Sequence, residues 1–251
     1  MSSEIGINLI RNYSVNFDLP KRSKKSIKFI IIHYTGMKKE KEAIKKLCDS
    51  RSKVSSHYFI KNNGEVITLV PDLYKAWHAG KSCWKKFKSL NKYSIGIEIN
   101  NPGHDHGYKK FSKKQIFSLV KLIRFLIKKY NIKKEYILGH SDISPNRKKD
   151  PGEKFPWSKL AKQNLCKWHN LSSKKLIKYR NLHLKNNEEK TFFKNLYNIG
   201  YPKSSVNNDR KFREDLVKAF QRKFRQNLIN GKIDKECLLI SKNLIINNNL
   251  T

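Results

Sequence analysis

The spacing of apolar positions changes along the chain, and each change marks an element. Phe29-Ile30-Ile31-Ile32 is an unbroken apolar run, which predicts a short buried strand ended by His33-Tyr34-Thr35-Gly36. Residues 40–48 read as a short helix. Residues 57–61 and 65–70 flank Asn62-Asn63-Gly64, a hairpin signal. Over 94–100 the pattern alternates, so Ile95, Ile97 and Ile99 share one strand face while Gly96 and Glu98 share the other. Over 112–130, Ile116, Leu119, Val120, Ile123, Leu126, Ile127 and Tyr130 form a helical stripe, with Ser112 and Gln115 spaced for a capping box. Residues 136–139 give another short strand. Strands and helices mix without strict alternation, which predicts an α/β fold with a mixed central sheet flanked by helices.

The pattern changes after Phe155-Pro156-Trp157 and Leu160. Residues 1–167 are expected to form one domain and 168–187, polar and irregular, a linker. Residues 188–251 are expected to form a small all-α unit of three helices. Its helices are marked by Phe192, Phe193, Leu196 and Tyr197, then Phe212, Leu216, Phe220 and Phe224, then Cys237, Leu238, Leu239 and Ile240. Residues 247–251 read as a frayed tail.

Composition narrows the class. The 251 residues carry 55 Lys plus Arg against 20 Asp plus Glu, a net charge of +35. Such a charge draws polyanions, or else reflects compositional drift, since it is mostly Lys and spread along the whole chain. A nucleic-acid-binding reading lacks any recognisable module, so no specific nucleic-acid partner is expected. No run approaches the ~20 apolar residues of a membrane span, and the first residues lack the pattern of a secretory signal. The four cysteines, Cys48, Cys83, Cys166 and Cys237, form no CxxC and are expected to be reduced. Together these favour a cytoplasmic setting, with the periplasm or cell envelope as the alternative.

Candidate chemistry sits at strand ends. His33 ends one strand, His140 ends another, and Asp150 lies ten residues further on. Three such ligands with a free fourth position would suit catalytic zinc. By position alone, they also suit two hydrogen-bonded strand-end histidines and a turn aspartate. Glu98 is either part of a solvated strand face or a general base. Lys148, two residues before Asp150, could stabilise a developing oxyanion or be one lysine among many. Trp77-His78-Ala79-Gly80 reads as a groove lining or as a loop whose Trp plugs the core. His57 opens a hairpin strand and suits a structural role. His104 and His106, in a Gly-flanked loop, suit adventitious metal.

Taken in order, these pieces resemble one family. FIIIHYTG (29–36), VSSHYFIKNNGEVITLV (54–70), AWHAG (76–80), LNKYSIGIEINNPGHDHGY (90–108) and ILGHSDISPNRKKDPGEKFPW (137–157) are similar to zinc N-acetylmuramoyl-L-alanine amidases of the amidase-2 class, the AmiD and AmpD types. The resemblance covers roughly residues 10–165 and includes the lead-in NYSVNFD. It implies zinc on His33, His140 and Asp150, a catalytic Glu98, and Lys148 beside the metal. Candidate substrate contacts are Tyr34, His57, Trp77, His78 and Asn91. Ser56 and Ser144 stand where Ala is more usual. LYNIGYP, VKAFQRKFR and GKID resemble small peptidoglycan-binding domains, against the plainer reading of a helical cap. The implied activity is hydrolysis of the amide between N-acetylmuramic acid and L-alanine, in peptidoglycan or anhydro-muropeptides, by a monomer. The rival is a recognition protein that binds wall fragments without cutting them.

Overall fold

The computed structural model describes residues 9–185, 187–206 and 209–246; the expected frayed tail, 247–251, lies outside them. Six strands form the central sheet: β1 (Leu9–Arg11), β2 (Phe29–Tyr34), β3 (Tyr58–Ile60), β4 (Val66–Thr68), β5 (Ser94–Ile99) and β6 (Ile137–Gly139). Their spatial order is β1-β4-β3-β5-β2-β6. The β3–β4 hairpin pairs antiparallel and the other four neighbouring pairs run parallel. The sheet is therefore mixed, as the pattern predicts. Strand β2 runs further than its apolar run, because His33 and Tyr34 stay paired with Glu98 and Ile99. His33 is thus a strand-end residue that is still paired in the sheet.

The two faces of the sheet are covered differently. Ile30, Ile32, Tyr58, Ile60, Ile95, Ile97 and Ile99 pack under the helix Lys113–Tyr130, where Leu119, Leu122, Ile123 and Leu126 are fully buried. Burial of each such side chain is worth about 1.5–3 kcal/mol. Helix α1 is Glu40–Cys48 and α2 is Lys113–Tyr130, and the Ser112–Gln115 capping box is formed. On the opposite face, Phe59 packs with Ala43 and Leu47 of α1. Phe29, Ile31 and Leu138 on that face pack with three C-terminal helices: α3 (Glu188–Ile199), α4 (Arg210–Phe224) and α5 (Lys235–Ile246). Between these two covers, strands β5 and β2 present Gly96, Glu98 and His33 on the same face.

The three expected C-terminal helices are present, and their apolar side chains join one cluster with Phe29, Ile31 and Leu138 of the sheet. Ahead of them, residues 168–185 hold helical turns at Ser173–Leu176 and Ile177–Tyr179 and bury His169 and Leu176. Arg180 pairs with Glu236 of α5 at 2.7 Å, which fastens the segment down. Leu171, Leu176 and Leu184 feed the same cluster, too widely spaced to show in the sequence pattern.

Candidate active site

The parallel strands place their C-terminal ends together, where a ligand crevice belongs in such sheets. His33 comes from the end of β2, and His140 opens the helical turn His140–Ile143 that follows β6. Asp142 in that turn accepts from the Gly139 amide at 2.8 Å and fixes how the chain leaves the strand. Its carboxylate, 1% exposed, also takes Tyr201 Oη at 2.8 Å and Lys223 Nζ at 3.0 Å, both from the C-terminal region. Asp150 returns to the same place because the Ser141 amide donates to its carbonyl at 2.9 Å. Gly139 permits this return: a Cβ there would come within 2.7 Å of Pro151.

The result is a triangle of side-chain atoms. His33 Nδ1 lies 3.0 Å from His140 Nδ1 and 3.0 Å from Asp150 Oδ2, and His140 Nδ1 lies 3.2 Å from Asp150 Oδ2. All three residues are buried. His140 Nε2 faces the Ala79 carbonyl at 3.1 Å, which can only accept, so Nε2 holds the hydrogen. In the neutral ring Nδ1 is then a bare lone pair. Burial would raise the Asp150 carboxyl, but His140 and His33 hold it well below the usual carboxylate range, so it too only accepts. Burial and the neighbouring His140 push His33 down to about 4, which keeps it uncharged at neutral pH. Acceptors crowded together in this way suit a cation. Tetrahedral zinc bonds of about 2.0–2.1 Å place ligand atoms roughly 3.3 Å apart, close to the observed edges. The donor set therefore fits the metal that the motifs imply.

Glu98 stands beside this triangle. Its Oε2 is sealed and has no hydrogen-bond partner among the described residues, while part of the side chain opens to the cleft. Burial, reinforced by Asp150 and opposed by Lys148, pushes its pKa up to about 8. The cleft, about 480 Å³, is lined by Tyr34, Trp77, His78, Glu98 and Lys148 together with the triangle. Lys46, Arg147 and Lys149 add positive charge at its walls.

The structure separates the expected substrate contacts. Tyr34 and Trp77 reach the cleft, the first held by His104 at 2.9 Å and the second by Asp18 at 2.7 Å. Trp77 is thus a wall of the groove and not a core plug. His57 does not reach it. Its ring is fully buried, takes the Gly96 amide on Nδ1 at 2.9 Å and meets the Tyr74 carbonyl through Nε2 at 3.0 Å. Asn91 also stays outside the lining, because its Oδ1 accepts the amides of His78 and Ala79 at 3.2 and 2.7 Å. His78 touches the cleft but spends its Nδ1 on His33 Nε2, 3.0 Å away. His104 joins Tyr34 to Glu153, a cross-brace at the rim and not a stray metal site. Ser56 and Ser144 bond the carbonyls of Tyr58 and Lys81 and stay outside the triangle. Asp142 and Ser94 were not singled out in the sequence, although Ser94 shares the strand parity of Gly96 and Glu98.

Comparison with known proteins agrees with this geometry. The family model described as N-acetylmuramoyl-L-alanine amidase matches residues 23–153. The chain is 33% identical over 231 residues to the N-acetylmuramoyl-L-alanine amidase AmiD of Escherichia coli K12, covering 87% of this chain and 82% of that protein. The chain belongs to the N-acetylmuramoyl-L-alanine amidase family. The amidase also resembles the solved AmiD complex with anhydro-N-acetylmuramic acid-L-Ala-D-gamma-Glu-L-Lys, with a TM-score of 0.79 and 31% identity, covering 92% of this chain and 93% of that one. With the 1,6-anhydro-N-acetylmuramyl-L-alanine amidase AmpD of Haemophilus influenzae it shares 39% identity over 108 residues, 43% of this chain and 56% of that protein. The enzyme class and the sheet architecture expected from the motifs both hold.

Proposed function

We propose that the amidase cuts the bond between the lactyl carbonyl of N-acetylmuramic acid and the nitrogen of L-alanine, with zinc held by His33, His140 and Asp150. The observation that carries this reading is the triangle of three side-chain atoms beside a carboxylate oxygen with no hydrogen-bond partner among the described residues. Bound there, zinc supplies a Lewis acid and brings the pKa of water toward ~7. Glu98, through the part of its carboxyl group that opens to the cleft, takes the proton of the attacking water and returns it to the leaving alanine nitrogen. Lys148, whose charge already acts on Glu98 and His33, offsets the negative charge that develops on the carbonyl oxygen. Tyr34 and Trp77 supply walls against which a sugar–peptide junction lies.

Two features pull the substrate in opposite directions. Four unpaired thiols suit a reducing compartment and soluble anhydro-muropeptides, the class of ligand in the AmiD complex. A groove of about 860 Å³ on the C-terminal helices presents Phe193 and Tyr197 beneath Arg213 and Lys203, as a wall-binding surface would. The test uses purified protein, with and without a chelator, on intact sacculi and on soluble anhydro-muropeptides, with products weighed by mass spectrometry. Release of peptides beginning with L-alanine, abolished by chelation and restored by zinc, is the expected result. Cleavage at another bond, or cleavage indifferent to chelator, refutes the reading. The favoured substrate form decides between the two settings.

A further inference from the structure

The loop around His78 does more than wall the cleft, and its hydrogen bonds can be followed atom by atom. Ser94 Oγ lies 2.6 Å from the Leu90 carbonyl, which can only accept, so the hydroxyl hydrogen is committed there. Ser94 Oγ also lies 3.1 Å from His78 Nε2. With its own hydrogen spent, the oxygen accepts from that nitrogen, and His78 carries its hydrogen on Nε2. His78 Nδ1 is then an acceptor, and the atom facing it at 3.0 Å, His33 Nε2, must donate. His33 therefore points its bare Nδ1 at His140 and Asp150.

The ring of His78 has little freedom to break this sequence. It lies so close over strand β5 that a Cβ on Gly96 would come within 2.5 Å of it. Its backbone is pinned by Asn91, which holds the amides of both His78 and Ala79. Ala79 in turn offers the carbonyl that keeps the hydrogen of His140 on Nε2. One loop thus orients both imidazoles, one through a side chain and one through a carbonyl.

We propose that His78 and Ser94 are positioning residues, which fix His33 in the tautomer whose Nδ1 lone pair faces the metal. This rests on the metal reading above, yet its first test needs no metal. In zinc-free protein labelled with ¹⁵N-histidine, His33 is expected as the Nε2–H tautomer; an Nδ1–H tautomer overturns the proposal. Zinc affinity, measured by competition with a chromophoric chelator, gives the second test. Ser94→Ala and His78→Leu are expected to weaken zinc binding about 10–100-fold, the usual effect of removing such a partner. His78→Asn, whose amide oxygen can stand where Nδ1 was, is expected to recover much of that loss. Unchanged affinity in Ser94→Ala and His78→Leu, with melting temperatures equal to the parent's, overturns the proposal. A parent protein that takes up no zinc overturns the metal reading instead, and the tautomer measurement still decides this one.

Discussion

Replacing Glu98 with Gln should make the metal-free protein more stable, and increasingly so as pH rises. In the unfolded chain this carboxyl loses its proton near its ordinary value of 4.5; in the folded protein it keeps the proton up to about 8. Between those limits the native state binds the extra proton, so stability falls as pH rises, by about 1.4 kcal/mol per pH unit. Across the whole interval the ceiling is about 5 kcal/mol. Because part of the side chain meets solvent, a realized difference of roughly 2–4 kcal/mol is expected at pH 9. Gln is neutral throughout and has no such slope. The assay is urea unfolding of both proteins in chelator at pH 5, 7 and 9. The two proteins should be closest in stability at pH 5, just above the carboxyl's ordinary value, be well separated in favour of Gln by pH 7, and part little further above about pH 8. Saturating zinc should shrink the gap, since a nearby cation favours the carboxylate. Curves that stay parallel from pH 5 to 9 would refute the claim that Glu98 is held protonated by its surroundings, and with it the argument for a tuned base. In the zinc-loaded enzyme the same variant should keep its metal and lose turnover.

Three other outcomes follow from the same geometry. Lys148→Ala should lower kcat/KM on a muropeptide by about 10²–10³ while leaving zinc affinity near that of the parent; an equal loss of zinc would place the lysine in metal binding instead. Lys223→Met should destabilise the protein by about 3–5 kcal/mol in chemical denaturation, because it strips a buried Asp142 of its counter-charge. Added salt should reduce kcat/KM for acidic muropeptides more than for neutral analogues, since Lys46, Arg147, Lys148 and Lys149 line the cleft.

The parts of this fold that were legible in the sequence are those that local periodicity controls. Helix α1 occupies the residues its pattern marks, and α2 follows its cap and stripe, with Leu122 added to the buried face. The alternation of Ile95, Ile97 and Ile99 against Gly96 and Glu98 also holds, and it leaves Glu98 facing the cleft. The meeting of His33, His140 and Asp150 is different. Positions 107 and 117 residues apart converge only through parallel pairing and the return at Gly139, so spacing alone left them ambiguous and a matched motif was needed. His57 and Asn91 lie outside the cleft lining, since a matched motif does not say which way a side chain turns; the structural reading of His57 agrees with its burial. Ser94 was discoverable by parity, but its role depends on a ring from another loop. The apolar run at Phe29–Ile32 shows burial on both faces; it does not show that helices from the far end of the chain supply the second cover.

That second cover bears on how the protein can be divided. A chain stopped at residue 167 would strip the apolar cluster shared by Phe29, Ile31 and Leu138 of every member from α3, α4 and α5. It would also leave the turn that carries His140 without Tyr201 and Lys223. Such a fragment should self-associate on sedimentation and hold zinc poorly, even though His33, His140 and Asp150 are all still encoded in it. The C-terminal helices are a roof built into the walls, so grafting them elsewhere, or trimming them away, breaks two pieces at once.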